Sequence, residues 1–329
     1  MSYNAALLSA LAPGRPVSGE ALGRELGISR AAVWKGVKRL IALGLEVEAL
    51  PGRGYRLAQA LSLLDAATIR RALPGEIAAC IGALEVLPDT GSTNARVLAG
   101  ERPVGELVAC LAEYQSAGRG RRGRSWVSPP GGGVCLSVGG RLPAAPSDYA
   151  SLPTAVGVAC AVALEALGVP DIGLKWPNDL LLDGGKLGGI LIELRGEAQG
   201  PAAIAVGIGL NVRLGPAARA LIVSDGGLPP ADLAGTPGGD VDRNALAAAL
   251  VAAIVGCLQR APAGLSDAVL SGWRQRDCLS GRPVRIDDSG VGRFGIAQGL
   301  DRSGALLLED ADGSRRRVTA GEVTLRVVE

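Results

Sequence analysis

The hydrophobic and polar positions of the first sixty residues form three short helical patterns followed by a hairpin pattern. Ser18 and Ser29 stand where a hydroxyl can cap a helix, and Gly27 and Gly44 stand where those two helices would end. The third helix has apolar residues at i, i+4, i+7 and i+8 on one face and basic residues on the other. Residues 45–57 then predict two short strands around a Pro-Gly turn. This order predicts a winged helix-turn-helix domain.

Strand and helix patterns are interspersed through residues 80–278. A short helical connector, residues 61–78, precedes them and is expected to stop at Pro74. Strands are predicted at 81–87, 107–114, 134–138, 172–175, 180–182, 187–194 and 203–212, and helices at 94–98, 148–167, 243–258 and 265–278. Residues 215–240 are rich in Gly, Pro and Ala without a regular period, which predicts a mobile loop or lid.

Five short strands separated by glycine turns are predicted in residues 280–329, which is typical of a small β-barrel. The predicted fold class is therefore α+β. It comprises an N-terminal winged helix-turn-helix domain (1–62), a central mixed α/β domain (63–278) and a C-terminal SH3-like β-barrel (279–329).

Composition indicates a folded chain and excludes several kinds of chemistry. Of the 329 residues, 48% are hydrophobic, and the absence of histidine excludes histidine-dependent acid–base and triad catalysis. The six cysteines contain no CxxC pair, which argues against structural zinc and favours buried thiols in a reducing cytosol. No apolar run reaches the ~20 residues that span a bilayer, and no signal-peptide pattern is present. We therefore expect a soluble, cytoplasmic protein with no membrane partner.

Positive charge is concentrated at the N-terminal end. Residues 1–60 hold eight Lys and Arg against four Asp and Glu, whereas the whole chain has a net charge of only +2. We expect the third helix and the tip of the wing to contact DNA, with Gly36 permitting close approach. The candidate contacts are Arg30, Lys35, Lys38, Arg39 and Arg53. A helical protein-interaction module is the alternative.

The densest cluster of charge lies in residues 118–126, where four arginines are interspersed with three glycines. These residues suit an anionic ligand, because guanidinium groups bind oxyanions and glycine lets the backbone approach them. The spacing Gly-x-Gly-x-x-Gly matches a dinucleotide-binding fingerprint, but Ser-Pro-Pro at 128–130 cannot open a helix, and no acidic residue occurs between Glu113 and Asp148. Two hypotheses remain: a solvated basic loop, or a loop that becomes ordered over an anion.

Two further stretches carry polar groups beside predicted strands. Ser92, Thr93 and Asn94 offer hydroxyl and amide groups to a neutral polar ligand, and an ordinary helix cap explains them equally well. Lys186 begins a strand among glycines at 184, 185, 188 and 189. It is either a solvated turn lysine or a cation that reaches a phosphate.

The order of the motifs resembles the biotin–protein ligases. The motifs are Ser-Thr-Asn at 92–94, Gln-Ser-Ala-Gly-Arg-Gly-Arg-Arg-Gly-Arg at 115–124, Lys-Trp-Pro-Asn-Asp at 175–179, Gly-Lys-Leu-Gly-Gly-Ile-Leu at 185–191, Gly-Ile-Gly-Leu-Asn at 207–211 and Thr-Leu-Arg at 324–326. The preceding winged helix makes the chain similar to the bifunctional class, which also represses biotin operons.

The resemblance implies a class II synthetase-like central domain that uses ATP, biotin and Mg²⁺. Biotin would be activated to biotinyl-5′-AMP and then transferred to a lysine of a biotin carboxyl-carrier domain, such as that of acetyl-CoA carboxylase. Adenylate binding would promote a homodimer that binds operator DNA.

The resemblance also implies residue roles. Lys186 and Arg121 would be catalytic. Biotin would be bound by Ser92, Thr93, Asn94, Gln115, Gly118, Arg119, Arg121, Lys186 and Gly188. The nucleotide would be bound by Arg121, Arg122, Arg124, Trp126, Lys175, Asn178, Asn211 and Arg326. Asp179 would hold Mg²⁺ or receive the carrier lysine, and the segment after Asn211 lacks the bulky apolar residues expected to cover the adenine.

Two other functions compete with the ligase hypothesis. One is a biotin-sensing DNA-binding regulator without catalysis, and the other is a lipoate or octanoyl transferase on a related fold. The complete arginine loop and Lys186 favour the ligase over the first. The winged helix and the same loop favour it over the second.

Overall fold

The computed structural model describes residues 3–197, 199–223, 228–237, 239–261, 264–288, 291–319 and 321–325. The N-terminal part has helices α1 (Ala5–Leu11), α2 (Gly19–Leu26) and α3 (Arg30–Ala42) and an antiparallel pair of strands, β1 (Val47–Leu50) and β2 (Gly54–Leu57). The Ser18 and Ser29 hydroxyls cap α2 and α3, and Gly27 ends α2 in the left-handed conformation with φ 64°. The predicted winged helix-turn-helix is therefore confirmed.

Gly36 serves helix packing inside this domain. A Cβ at this position would lie 2.6 Å from Cδ2 of Leu7, which is fully buried in α1. The expectation that Gly36 permits close approach to DNA is therefore wrong, because the residue faces α1.

The body is built on a seven-stranded mixed sheet. Its strands are β3 (Ile81–Thr90), β4 (Leu107–Gln115), β5 (Gly133–Leu142), β6 (Gly173–Lys175), β7 (Asp179–Leu182), β8 (Gly185–Arg195) and β9 (Ala202–Asn211), in the order β3-β4-β5-β9-β8-β7-β6. Only β3 and β4 among these neighbours run parallel. The accompanying helices are α4 (Ala66–Ala72), α5 (Gly75–Cys80), α6 (Thr93–Val97), α7 (Leu152–Ala166), α8 (Pro216–Val223), α9 (Arg243–Arg260) and α10 (Asp267–Arg276).

The two faces of the sheet carry different elements. Helices α7 and α9 form the main core with one face, where Leu111, Leu136 and Val206 are fully buried. Alternate residues such as Val108 and Ala205 pack with α6 on the other face. The sequence predicted no span, but Pro146–Ala166 is long and apolar enough to cross a membrane by length and composition alone; 56% of an 18-residue apolar stretch within it is buried inside the protein. These residues therefore contain a core helix, α7.

The segment 215–240, predicted to be a loop, begins with a helix. Helix α8 lies against the winged helix domain, because the Ala218 side chain meets Gly44. Arg219 Nη2 lies 2.8 Å from Asp232 Oδ2, whose side chain is only 3% exposed. These tertiary contacts stabilise a helix in a stretch whose composition predicted no regular structure. The connector was expected to stop at Pro74, but a further short helix, α5, begins directly after this proline.

The C-terminal part forms the expected five antiparallel strands. They are β10 (Pro283–Asp288), β11 (Val291–Leu300), β12 (Leu306–Glu309), β13 (Arg315–Val318) and β14 (Glu322–Leu325), in the order β13-β12-β11-β10-β14. The Trp176 indole N–H donates to the Gly304 carbonyl at 3.0 Å and so joins this sheet to the body.

Candidate functional site

A cavity of about 790 Å³ lies on the α6 face of the large sheet and collects most of the predicted site residues. Each of the seven strands contributes to its wall within the strand or just beyond its end. The predicted residues that line it are Ser92, Thr93, Asn94, Gln115, Arg119, Arg121, Arg122, Arg124, Trp126, Lys175, Asn178, Asp179, Lys186 and Asn211.

One end of the cavity carries neutral hydrogen-bonding groups at the turn from β3 into α6. The Ser92 hydroxyl caps α6, so the turn is both a helix cap and a cavity wall. The Thr93 backbone N–H and hydroxyl both donate to Gln115 Oε1, at 2.8 and 3.1 Å. Because the Gln115 oxygen is thereby occupied, its Nε2 is left as the donor of that amide.

Asn94 is buried, with only 4% of its surface exposed, and hydrogen bonds fix its side-chain amide on several sides. Its Nδ2 donates to the Leu191 carbonyl at 3.1 Å and to Glu193 Oε2 at 2.8 Å. Its Oδ1 lies 2.7 Å from the hydroxyl of the fully buried Ser137. Any side chain on Gly207 would overlap the Asn94 amide. Ser137 and Glu193 were not predicted as site residues, because nothing in the local sequence pattern links them to a residue on α6.

The arginine loop, residues 118–126, closes on itself and contacts two other parts of the protein. The Gly120 N–H donates to the Arg124 carbonyl at 2.7 Å, and a single 3-10 turn lies between them with Arg122 at φ 55°. Arg119 Nη1 lies 3.3 Å from Glu193 Oε1 on β8. Arg122 donates to the Asp287 carbonyl at 2.9 Å and so links the loop to β10.

The Trp126 indole packs against the glycine-rich part of β9. Any side chain on Gly209 would overlap the indole ring, so the second glycine of Gly-Ile-Gly-Leu-Asn is required for this packing. Within the described part of the chain, the buried indole N–H of Trp126 has no hydrogen-bond partner.

Lys186 forms the cationic centre of the cavity. Its Nζ lies 2.7 Å from Asp179 Oδ1, and the two side chains are 32% and 17% exposed. The aliphatic end of Lys186 lies over Gly189, where a Cβ would come 3.4 Å from its Cε. This pair leaves the ammonium compensated and accessible from the cavity.

Two asparagines present amide groups to the same cavity. Asn178 Nδ2 donates to the Ile190 carbonyl at 2.7 Å, and Arg121 Nη1 approaches its Oδ1 at 3.5 Å. Asn211 Nδ2 donates to the carbonyls of Lys186 and Ala231. The buried Asn211 Oδ1 has no hydrogen-bond partner among the residues that the structure describes, and a donor on a ligand could satisfy it.

Further parts of the wall come from the 215–240 segment, which was predicted to be a mobile loop or lid, and from residues next to the C-terminal sheet. Aliphatic groups of Ile222, Leu228 and Pro230 line one side, and Leu279 and Val323 line the end next to the C-terminal sheet. The predicted nucleotide residue Arg326 lies outside the described residues.

Two predicted biotin-binding glycines do not line the cavity. Gly188 of β8 lies on the sheet face that packs against α7 and α9, where an added Cβ would meet Leu210 Cδ1 at 2.9 Å. Its neighbour Gly189 faces the cavity instead. Gly118 joins the two ends of the arginine loop, because its carbonyl accepts a hydrogen bond from the backbone N–H of Trp126 at 2.9 Å.

The described residues contain no group of three or more His, Cys, Asp and Glu side chains that could hold a metal ion. Asp179 is the carboxylate next to Lys186. Mg²⁺ commonly binds through one or two carboxylates plus the phosphates of a nucleotide, so this site suits a metal that arrives with its nucleotide.

The winged helix presents its predicted DNA-contacting side chains as follows. Arg30, Lys35, Lys38 and Arg53 are exposed, and Arg39 is half-buried. Trp34, which the sequence analysis did not single out, is 51% exposed beside Lys38, whose Nζ lies 5.8 Å from its ring centroid. The surface therefore combines cations with one aromatic ring.

Three family models match the chain. The biotin/lipoate A/B protein ligase family matches residues 89–211, a helix-turn-helix domain matches residues 5–56, and the biotin protein ligase C-terminal domain matches residues 279–326. The first range spans the residues from the β3–α6 turn to the end of β9, which supply most of the cavity wall.

Individual proteins are similar over nearly the whole length. The bifunctional ligase/repressor BirA of Escherichia coli is 39% identical over 98% of this chain and 97% of its own length, and that of Bacillus subtilis is 32% identical over 92% of each. Among solved structures, the biotin protein ligase of Aquifex aeolicus in complex with biotin and ATP is 25% identical with a TM-score of 0.58. That similarity covers 74% of this chain and 99% of the other.

Proposed function

The chain belongs to the family of bifunctional biotin ligases and repressors, and from that premise we propose how its residues perform the two activities. The ligase activity joins biotin to the carrier protein of acetyl-CoA carboxylase with ATP, and the helix-turn-helix domain gives the repressor activity. The proposed divisions are a DNA-binding domain (1–62), a ligase domain (63–278) and a C-terminal domain (279–329).

Biotin binds at the β3–α6 end of the cavity. Its ureido ring offers two N–H donors and one carbonyl acceptor. The Asn94 oxygen supplies an acceptor, the Gln115 Nε2 supplies a donor, and the hydroxyls of Ser92 and Thr93 complete the set. Arg119 and Gly118 belong to the loop that closes over this end.

Lys186 and Arg121 act on the first chemical step. A carboxylate oxygen of biotin attacks the α-phosphorus of ATP, a new P–O bond forms, and the bond to pyrophosphate breaks. Negative charge gathers on the phosphoryl oxygens, so the step needs positioned cations more than an enzyme nucleophile. The Lys186 ammonium supplies one such cation when it leaves Asp179 for the phosphate.

The second step transfers the acyl group. The amine of a carrier lysine attacks the acyl carbon of biotinyl-5′-AMP, an amide forms, and AMP leaves with the electron pair of the broken C–O bond. The amine loses a proton in this step, and Asp179 is the carboxylate positioned to accept it once Lys186 has moved to the phosphate.

The nucleotide occupies the Lys186 side of the cavity as MgATP. Arg122, Arg124, Lys175 and Asn178 provide groups for its phosphates and ribose, and Trp126 covers the adenylate. Its adenine amino group suits the Oδ1 of Asn211, which has no partner among the described residues. Ile222, Leu228 and Pro230, which line this side of the cavity, then cover the base in place of the bulky apolar residues that the segment after Asn211 lacks.

One observation carries this proposal: a neutral hydrogen-bonding end, a lysine and the arginine loop share one cavity. A biotin sensor without catalysis would need the neutral hydrogen-bonding end of the cavity. It would not need Lys186 paired with Asp179 at the opposite end.

The test is biotin-dependent exchange between ATP and pyrophosphate. We expect exchange with biotin and not with lipoate or octanoate. Lys186→Ala should lower the rate by roughly 10²–10³, the usual effect of removing one donor to a developing anion, and leave the fold and the DNA binding measured without biotin and ATP unchanged. Lys35→Ala is the reciprocal control, with normal exchange and weaker DNA binding. No exchange by folded parent protein would favour the non-catalytic sensor.

Repression by a homodimer is the second part of the proposal. Two copies that reach two half-sites together convert weak single contacts into tight binding. Arg30, Lys35, Lys38, Arg39 and Arg53 supply the contacts of each copy. Analytical ultracentrifugation should show a shift toward dimer with biotin and ATP, and DNA affinity independent of both ligands would contradict the coupling. We place this protein in the cytoplasm, consistent with six free cysteines.

A further inference from the structure

Glu193 is an acidic residue that contacts two parts of the biotin end without lining the cavity. It lies on β8 opposite Ala205, on the sheet face that carries α6, and its side chain is 25% exposed. Its two carboxylate oxygens serve different partners. Oε2 accepts from Asn94 Nδ2 at 2.8 Å, and Oε1 lies 3.3 Å from Arg119 Nη1.

The contact with Asn94 fixes which atom of that amide is offered to a ligand. Both hydrogens of its Nδ2 are used, one by Glu193 and one by the Leu191 carbonyl. The Oδ1 accepts from buried Ser137 and keeps a second lone pair. Asn94 therefore faces the cavity as an acceptor, which suits an N–H of the ureido ring.

The contact with Arg119 joins the arginine loop to the same carboxylate. Arg119 stands at the start of that loop, where it forms a backbone bridge with Ser125 on the returning side. The loop is therefore tied to β8 at its base, beside the biotin end, and to β10 through Arg122 at its tip.

Only a carboxylate can satisfy both contacts at once. Asn94 and Arg119 both present donors, and an ionised carboxylate has an acceptor oxygen for each. A glutamine has one acceptor oxygen, so its NH₂ group would face a donor. It would also leave the Arg119 guanidinium without its compensating charge.

We propose that Glu193 is a positioning residue that couples recognition of the ureido ring by Asn94 to seating of the arginine loop by Arg119. The proposal rests on the biotin ligase function given above. Through Asn94 the carboxylate acts on biotin affinity, and through Arg119 it acts on retention of biotinyl-5′-AMP.

The experiment compares Glu193→Ala and Glu193→Gln with the parent protein and with Glu85→Gln. Glu85 is a matched control, because it pairs with Arg96 on the same helix as Asn94, at 2.8 Å, but does not line the cavity. Biotin affinity is measured by calorimetry, adenylate release by dilution into excess unlabelled ligand, and the Michaelis constant for ATP by pyrophosphate exchange.

For Glu193→Ala we expect about tenfold weaker biotin binding and about tenfold faster adenylate release, as for loss of a charge-assisted hydrogen bond. Glu193→Gln should release adenylate faster while weakening biotin binding less. The Michaelis constant for ATP should change less than biotin affinity does, because Arg122 still holds the nucleotide-binding tip of the loop on β10. Glu85→Gln should match the parent. In an Arg119→Gln background, Glu193→Gln should add nothing to the release rate.

The proposal is overturned if both Glu193 variants match the parent in biotin affinity and adenylate release while the parent catalyses exchange. It is also overturned if biotin affinity, ATP affinity and thermal stability all fall together, since that pattern indicates a merely structural role. A parent protein without biotin-dependent exchange would instead refute the ligase mechanism itself.

Discussion

Replacing Glu113 by glutamine should destabilise the connection between the winged helix and the ligase body. Glu113 ends the buried part of β4, and Arg243 begins α9. Their side chains are 7% and 5% exposed, and Arg243 Nη2 lies 2.8 Å from Glu113 Oε2. The same guanidinium donates to the Ser62 carbonyl at 2.7 Å, and Glu113 Oε1 accepts from the Leu64 N–H at 2.5 Å. The pair thus holds residues 62–64 in place.

The expected magnitude follows from burial. Removing one partner of a buried ion pair leaves an uncompensated charge and costs roughly 3–5 kcal/mol. An exposed pair contributes about 0–1 kcal/mol. Arg56 and Glu48 form such a pair on the wing, with side chains 41% and 42% exposed, so Glu48→Gln is a matched control.

Thermal unfolding and limited proteolysis measure the effect. One kcal/mol shifts the Tm of a domain of 150–250 residues by about 2–4 °C, so Glu113→Gln should lower the Tm of the ligase body by roughly 6–20 °C. For a domain as small as the winged helix the shift is about 4–8 °C per kcal/mol, so Glu48→Gln should lower its Tm by less than about 8 °C and leave that of the ligase body unchanged. Glu113→Gln should also expose the segment around residue 63 to proteases. Equal Tm values of the ligase body in the two variants, with equal protease resistance, would refute the reasoning that this buried carboxylate compensates Arg243.

Two further predictions concern the cavity and the thiols. Gly209→Ala places a methyl group where the Trp126 ring lies. We therefore expect the Michaelis constant for ATP to rise about tenfold, within the roughly 0.5–3 kcal/mol usual for a disruptive substitution. The Michaelis constant for biotin should change little, and pyrophosphate exchange measures both constants. In labelling with iodoacetamide at pH 8, the partly exposed Cys80 should react before Cys110 and Cys135. Burial raises the pKa of Cys110 to about 12 and the pKa of Cys135 to about 11, so little of the reactive thiolate is present at these two residues. Mass spectrometry of the labelled peptides gives the order.

The sequence predicted elements and motifs well where a local signal existed. Serine caps and stop glycines marked the helices of the winged domain, and the arginine loop stood out by charge alone. Helix α8 was missed because glycine and proline flank it. Its order depends on the contact of Ala218 with Gly44 and on the pair of Arg219 with Asp232.

The glycines of β8 illustrate a second limit. Successive residues of a strand point to opposite faces, so a one-residue choice decides between core and cavity. Gly188 and Gly189 are identical in type and adjacent, and no side chain in the sequence distinguishes them. The pairing of Gly189 with Gly209 and of Gly188 with Leu210 decides the matter, because Gly209 lies under Trp126 on the cavity side.

The residues that position the biotin end could not be found from the sequence for a related reason. Glu193 lies 99 positions from Asn94, and Ser137 lies 43 positions from it. Each occupies a strand position where a polar residue among apolar ones ordinarily indicates a solvated face. Only the order β5-β9-β8 in the sheet, with α6 packed on β5 and β9 beside β8, brings both side chains to one amide. Motifs thus identify the groups that meet the ligands, whereas sheet topology identifies the groups that orient them.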